Sequence, residues 1–101
     1  MKHTYSEYVA GALGYFVRHK HDNPPVELNT EALRLNWNAC EVVFGNLSKQ
    51  DQAIVECIYA DNGNLNDVIK AYCGIRNLKP AYVWHKVQDI EESIAKVRGL
   101  I

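Results

Sequence analysis

From Val83 to Ile101 the aliphatic residues Val83, Val87, Ile90, Ile94, Val97 and Ile101 recur at spacings of four, three, four, three and four. A strand alternates every second residue, so this spacing fits only a helix with one apolar seam. Pro80 suits the first turn of such a helix, where its missing N–H costs nothing. Gly99 is a stop, with Lys96 and Arg98 in the last turn before it. A seam of this length must bury itself against other elements, so the rest of the chain has to supply partners.

Four breaks rich in Gly, Pro and Asn divide the chain: His21 to Pro25, Gly45 to Ser48, Asp61 to Asn64, and Asn77 to Pro80. Between them the spacing predicts four further helices and no strand. The first runs roughly from Ser6 to Lys20, with Val9, Leu13, Phe16 and Val17 as its stripe and Tyr5, Tyr8 and Tyr15 widening it. Its small residues at Ala10, Gly11, Ala12 and Gly14 predict a close helix neighbour. Consecutive prolines at 24 and 25 then force an extended linker. The second helix runs from about Thr30 to Phe44, capped by Asn29 or Thr30, with Leu33, Trp37, Cys40, Val43 and Phe44 buried. Ser48 caps the third, Asp51 sits in its first turn, and Ile54, Val55, Ile58 and Tyr59 are its apolar side. Asn62-Gly63 is a turn, and the fourth begins near Leu65 with Leu65, Val68, Ile69, Tyr72 and Cys73 on one face.

The expected fold is therefore all-α: a five-helix compact domain over residues 1–101, helices 1 and 2 at 6–45 and a trihelical unit at 48–98. At 101 residues, 48% of them hydrophobic, the chain has room for one core and is not disordered. No apolar run approaches the ~18 residues of a membrane span, and no secretion signal is expected at the N-terminus. Cys40, Cys57 and Cys73 are odd in number, distant and set in apolar runs. That predicts reduced, buried thiols and a cytoplasmic protein. Trp37 reads as core and Trp84, beside the seam, as partly buried.

The chemistry-bearing residues exclude more than they suggest. Ser6, Ser48, Ser93, Thr4, Thr30 and the cysteines are the conceivable nucleophiles, but Ser48 is explained as a cap and the cysteines lie on apolar faces. No phosphate loop, nucleophile elbow or paired metal motif occurs. His19 and His21, two residues apart, point to different sides of a helix, and His3 is near the chain start. No enzyme activity, metal or other cofactor is expected.

Net charge is −1, so no global field draws nucleic acid. Residues 64–101 are nevertheless net basic, with six Lys/Arg against four Asp/Glu. Two short helices joined by a tight turn, with a third in front, make the unit that places a helix in a DNA major groove. Off the seam, the start of helix 5 offers Lys79, Tyr82, His85, Lys86 and Asp89 to phosphate and base edges, and Lys70 and Arg76 of helix 4 could touch backbone. A bundle core with a polar outside explains the same pattern.

The stretch from Leu47-Ser48-Lys49-Gln50-Asp51-Gln52-Ala53-Ile54-Val55 to Val83-Trp84-His85-Lys86-Val87 resembles region 4 of bacterial sigma factors and sigma-like phage activators. Tyr8 to Phe16, Leu35 to Cys40 and Ile94 to Ile101 are similar to short uncharacterised prophage and mobile-element proteins of gut Firmicutes. The first resemblance implies a phage-type DNA-binding transcriptional regulator with a helix-turn-helix, acting on duplex DNA and with RNA polymerase as a partner. The family's turn glycine is either Gly74, three residues early, or replaced by Asn77, which tolerates a left-handed backbone. The alternative is a non-catalytic helical interaction or assembly module, homodimeric and without DNA binding.

Overall fold

A computed structural model of the chain describes residues 4–61 and 63–101; His3 and Asn62, singled out above, lie outside the described residues. Among the described residues there are five helices and no strand: α1 (Ser6–His19), α2 (Glu31–Gly45), α3 (Lys49–Tyr59), α4 (Leu65–Arg76) and α5 (Pro80–Arg98). Several of their ends are set by residues that the sequence nominates, but Gly45, expected to stop α2, is its last helical residue and Asn46 caps it. The Thr30 hydroxyl accepts from the Leu33 N–H and the Ser48 hydroxyl from the Asp51 N–H, each satisfying a donor that the first turn leaves open. Asn64 does the same for α4, accepting from Asn66 and Asp67. Asn77 ends α4 at φ 56°, ψ 45°, and Gly99 ends α5 at φ 82°; both are left-handed caps.

The helices enclose one core. α1 lies against α2, α3 and α5, α2 lies along α5, and α4 touches both α3 and α5. Val9 and Leu13 of α1, Cys40 of α2, Val55 and Ile58 of α3, Ile69 of α4 and Val83, Val87 and Ile94 of α5 are all under 2% exposed. No helix among the described residues is long and apolar enough to cross a membrane.

Four expectations are corrected. The seam of α5 does not stay buried to its end: Val83, Val87, Ile90 and Ile94 are sealed, but Val97 is 52% and Ile101 60% exposed. A seven-residue repeat drifts by ~20° per heptad on a straight helix. By Val97 the stripe has turned off the core, and Glu91 and Ala95 are buried instead. Ile101 lies past the helix end. Cys57 is exposed, whereas Cys40 and Cys73 are buried. Its phase on α3 falls between Glu56 and Ile58, just outside the apolar side. Gly11 faces open space; only Gly14 meets a close neighbour, and a Cβ there would lie 3.5 Å from the Tyr59 carbonyl oxygen and 2.8 Å from the Arg18 guanidinium. On α2, Leu33, Trp37 and Phe44 are half-buried rather than sealed, while Ala39, passed over above, is 2% exposed.

Candidate nucleic-acid interface

The chain from α4 into α5 makes a tight reversal. The N–H groups of Asn77 and Leu78 both donate to the Cys73 carbonyl, closing the last turn of α4. Lys79 precedes Pro80 in extended conformation and, having no acceptor on its side chain, leaves the start of α5 without a side-chain cap. Asn77 supplies the left-handed residue that the reversal needs, at a position where most side chains would be strained.

At 100° per residue, Lys79, Tyr82, Lys86 and Asp89 fall within an arc of about 80° on α5, and His85 lies just beyond it. Lys79, Tyr82, His85 and Asp89 are exposed and Lys86 is half-buried. The structure thus brings five of the seven predicted residues onto one open side of the N-terminal half of α5. The adjoining face, within about 80° of Lys79, is sealed by Val83 and Val87. Lys86 reaches back from this arc: its Nζ is 3.4 Å from Asp51 Oδ2 of α3 and 5.7 Å from the centre of the Tyr82 ring.

The two residues on α4 are placed differently. Lys70 is exposed. Arg76 is exposed too, but its guanidinium lies 4.3 Å over the Tyr72 ring and its Nη2 is 3.9 Å from Cys57 Sγ. Arg76 therefore leans toward α3 rather than toward the arc of α5. Ile75 beside it is 80% exposed.

Of the cross-helix pairs on α5 that sequence reasoning missed, two join it to α3. One is Asp51–Lys86, whose acid was read only as a partner of the helix dipole. The other is buried: Tyr59 OH donates to Glu91 Oε2 at 2.6 Å, and Glu91 is 4% exposed. Burial, with the Glu91 charge beside it, holds the Tyr59 phenol well above its ordinary range. The Cys40 thiol is pushed up to about 12 by burial, so it is an inert packing group. A helical-phase count would have found Glu91, one turn from Val87 and Ala95, but nothing in one dimension pairs it with Tyr59.

On the other flank of α5, a cleft of about 570 Å³ opens between Trp84, Gln88 and Glu91 of α5 and Ser6, Glu7 and Leu65. Trp84 is half-buried there, as its place beside the seam predicts. Among the described residues no three His, Cys, Asp or Glu side chains converge as metal ligands do. His19 instead meets Asp22, Nδ1 to Oδ2 at 2.7 Å, at the end of α1. No family model, curated protein or solved structure matches this chain.

Proposed function

We propose that this protein is a non-covalent binder of duplex DNA, a phage-type transcriptional regulator of the sigma region 4 kind that presents the N-terminal half of α5 to the major groove. The observation that carries the reading is the arc of Lys79, Tyr82 and Asp89, all exposed, with half-buried Lys86 within it and exposed His85 at its margin, on a helix whose adjoining face is sealed by Val83 and Val87. Groove-reading helices use their first turns, because the rest of the helix leaves the groove. The charge order along α5 fits: Lys79 and Lys86 come first, and Glu91 and Glu92 follow. The Asn77 reversal supports the same geometry, setting α5 against α4 through a short turn. RNA polymerase enters as a partner through the resemblance alone.

Few cations surround the arc, so phosphate contacts are few and the salt slope is shallow, on the order of three counterions. The test is fluorescence anisotropy on random-sequence duplexes at low and moderate salt. Wild type should bind weakly. Lys79→Glu combined with Tyr82→Ala should abolish binding with unchanged circular dichroism, since neither residue lies in the core. Equal binding by both proteins refutes the recognition-helix reading.

A second reading is favoured by one observation. Leu35, Val42, Val97, Leu100 and Ile101 are 38 to 60% exposed on α2 and the end of α5. Leu35 and Val97 each adjoin a member of the Asn36–Arg98 hydrogen bond of 2.7 Å, so the two helices approach there. Exposed apolar residues in one region mark interaction surfaces. An assembly module using them, as a homodimer, would lose self-association in Val97→Lys on analytical ultracentrifugation, and would show no DNA binding.

A further inference from the structure

The ammonium of Lys86 is not simply displayed on α5. It sits 3.4 Å from Asp51 Oδ2, and the two side chains are 35% and 18% exposed, so water and salt screen the pair less than an open one. Asp51 is the fixed member. Its N–H is held by the Ser48 hydroxyl at 3.1 Å, and its carboxylate lies in the first turn of α3, where the helix dipole attracts a negative charge. Lys86 is the adaptable member, a charge on a long flexible stem. Asp51 therefore places a fixed negative charge at the edge of the surface that phosphate would approach, and it occupies one of the few cations there.

We infer that Asp51 is a charge brake on the α5 interface, holding Lys86 out of phosphate contact and thereby setting a low affinity and a shallow salt slope. This rests on the DNA reading above. It makes Asp51, which touches no ligand itself, a positioning residue that acts through Lys86. It also changes how the polar arc is divided: Lys79 and Tyr82 meet DNA in the resting protein, and Lys86 joins only when its acid partner is lost or outcompeted.

The test is a set of anisotropy titrations over a salt series with wild type, Asp51→Asn, Lys86→Gln and the double variant. Asp51→Asn keeps the shape and hydrogen-bonding capacity at the start of α3 but removes the charge. It should tighten binding about tenfold at low salt and steepen the log–log salt slope by about one, the value of one added phosphate contact. Adding Lys86→Gln to Asp51→Asn should return the slope to that of wild type, since the released cation is then absent. A merely structural role for Asp51 would leave the slope alone. Should Asp51→Asn lower helicity on circular dichroism, Asp51→Ser, which restores a good helix-start residue, serves in its place. If wild type binds and Asp51→Asn binds with the same affinity and slope, the brake is refuted and the DNA reading stands. If the gain survives Lys86→Gln, it does not pass through Lys86 and the brake is refuted. If neither wild type nor Asp51→Asn binds any duplex, both fall.

Discussion

The two ends of the fold are held together by different chemistry. Between α1 and α2 the contacts are aromatic: the Phe16 ring lies 4.9 Å from Trp37 and 5.8 Å from Phe44, and Tyr15 meets Trp37 edge-on at 6.1 Å. Of these rings only Phe16 is sealed, while Trp37, Phe44 and Tyr15 are half-buried. Lys20 sits 4.2 Å over Phe44 and pairs with Glu56 at 2.6 Å, tying the rim of this layer to α3. Among α3, α4 and α5 the core is mainly aliphatic, with Val55, Ile69, Val83 and Val87 at 0% exposure, and its rings, Tyr59 and Tyr72, are buried. A large ring can gain from edge contacts while part of it stays in water. An aliphatic side chain gains only from area removed from water and from close packing, so it has to be enclosed. The C-terminal part can therefore hold α5 rigidly enough to present an arc of polar residues, while the N-terminal part tolerates openings.

The largest effect that this contrast predicts comes from charging the sealed side. Val87→Asp buries a carboxyl group without a partner and should cost about 4–5 kcal/mol, most of what a domain near the lower end of the roughly 5–15 kcal/mol range has to spare. Trp37→Ala, in the half-open layer, should instead cost about 2 kcal/mol, below the range of a fully buried ring. Circular dichroism melts check both, and a Val87→Asp protein that melts like wild type would break the comparison.

High pH comes next. The pKa values of Cys40 and Tyr59 are raised in the folded protein from ordinary values of 9.0 and 10.0, so the stability they contribute is complete below those values. It declines as pH rises, for Cys40 from pH 9.0 toward about 12. Each group costs about 1.4 kcal/mol per pH unit once it ionises in the unfolded chain. Urea midpoints should fall between pH 9 and 11, and less steeply in Cys40→Ala and Tyr59→Phe. An unchanged midpoint would mean that both groups are already open to water.

Glu91→Ala isolates the one buried acid in the aliphatic half. It strips Tyr59 of a charged acceptor and should cost about 2 kcal/mol by chemical denaturation. A loss no greater than for an exposed residue would show that the Tyr59–Glu91 bond contributes nothing. The smallest effect concerns Gly11 of α1, in contrast to Gly14. Gly11→Ala adds a methyl group into open space within a helix and should stabilise by about 0.5–1 kcal/mol. Gly14→Leu meets Tyr59 and Arg18 and should destabilise by about 1–3 kcal/mol. A gain at Gly14 would sharpen the comparison by showing that even the α1–α3 contact is loose.

The five helices were legible in one dimension because their determinants are local. Thr30, Ser48, Asn77 and Gly99 act on backbone groups within a few residues, and Pro80 needs only its own ring to start α5. The face of α5 that carries Lys79, Tyr82, His85 and Asp89 was legible too, since helical phase alone separates it from Val83 and Val87. Phase also contained the answers for Cys57 and Val97, which fall at the edges of their apolar stripes. Cys57 was put inside by type rather than by angle, and Val97 by a spacing whose drift along the helix was not followed.

What only the tertiary structure decided are the meetings between helices. Asp51 and Lys86 are 35 residues apart, Tyr59 and Glu91 32, and Asn36 and Arg98 62. No local rule couples such positions. Each pair exists because hydrophobic burial, which is not directional, brings whole helices together and leaves polar side chains to find partners in whatever register packing allows. The sequence by itself determined which segments are helical and which side of each is apolar. Tertiary packing decided that Lys86, one of seven residues predicted to meet DNA, reaches back to an acid on α3.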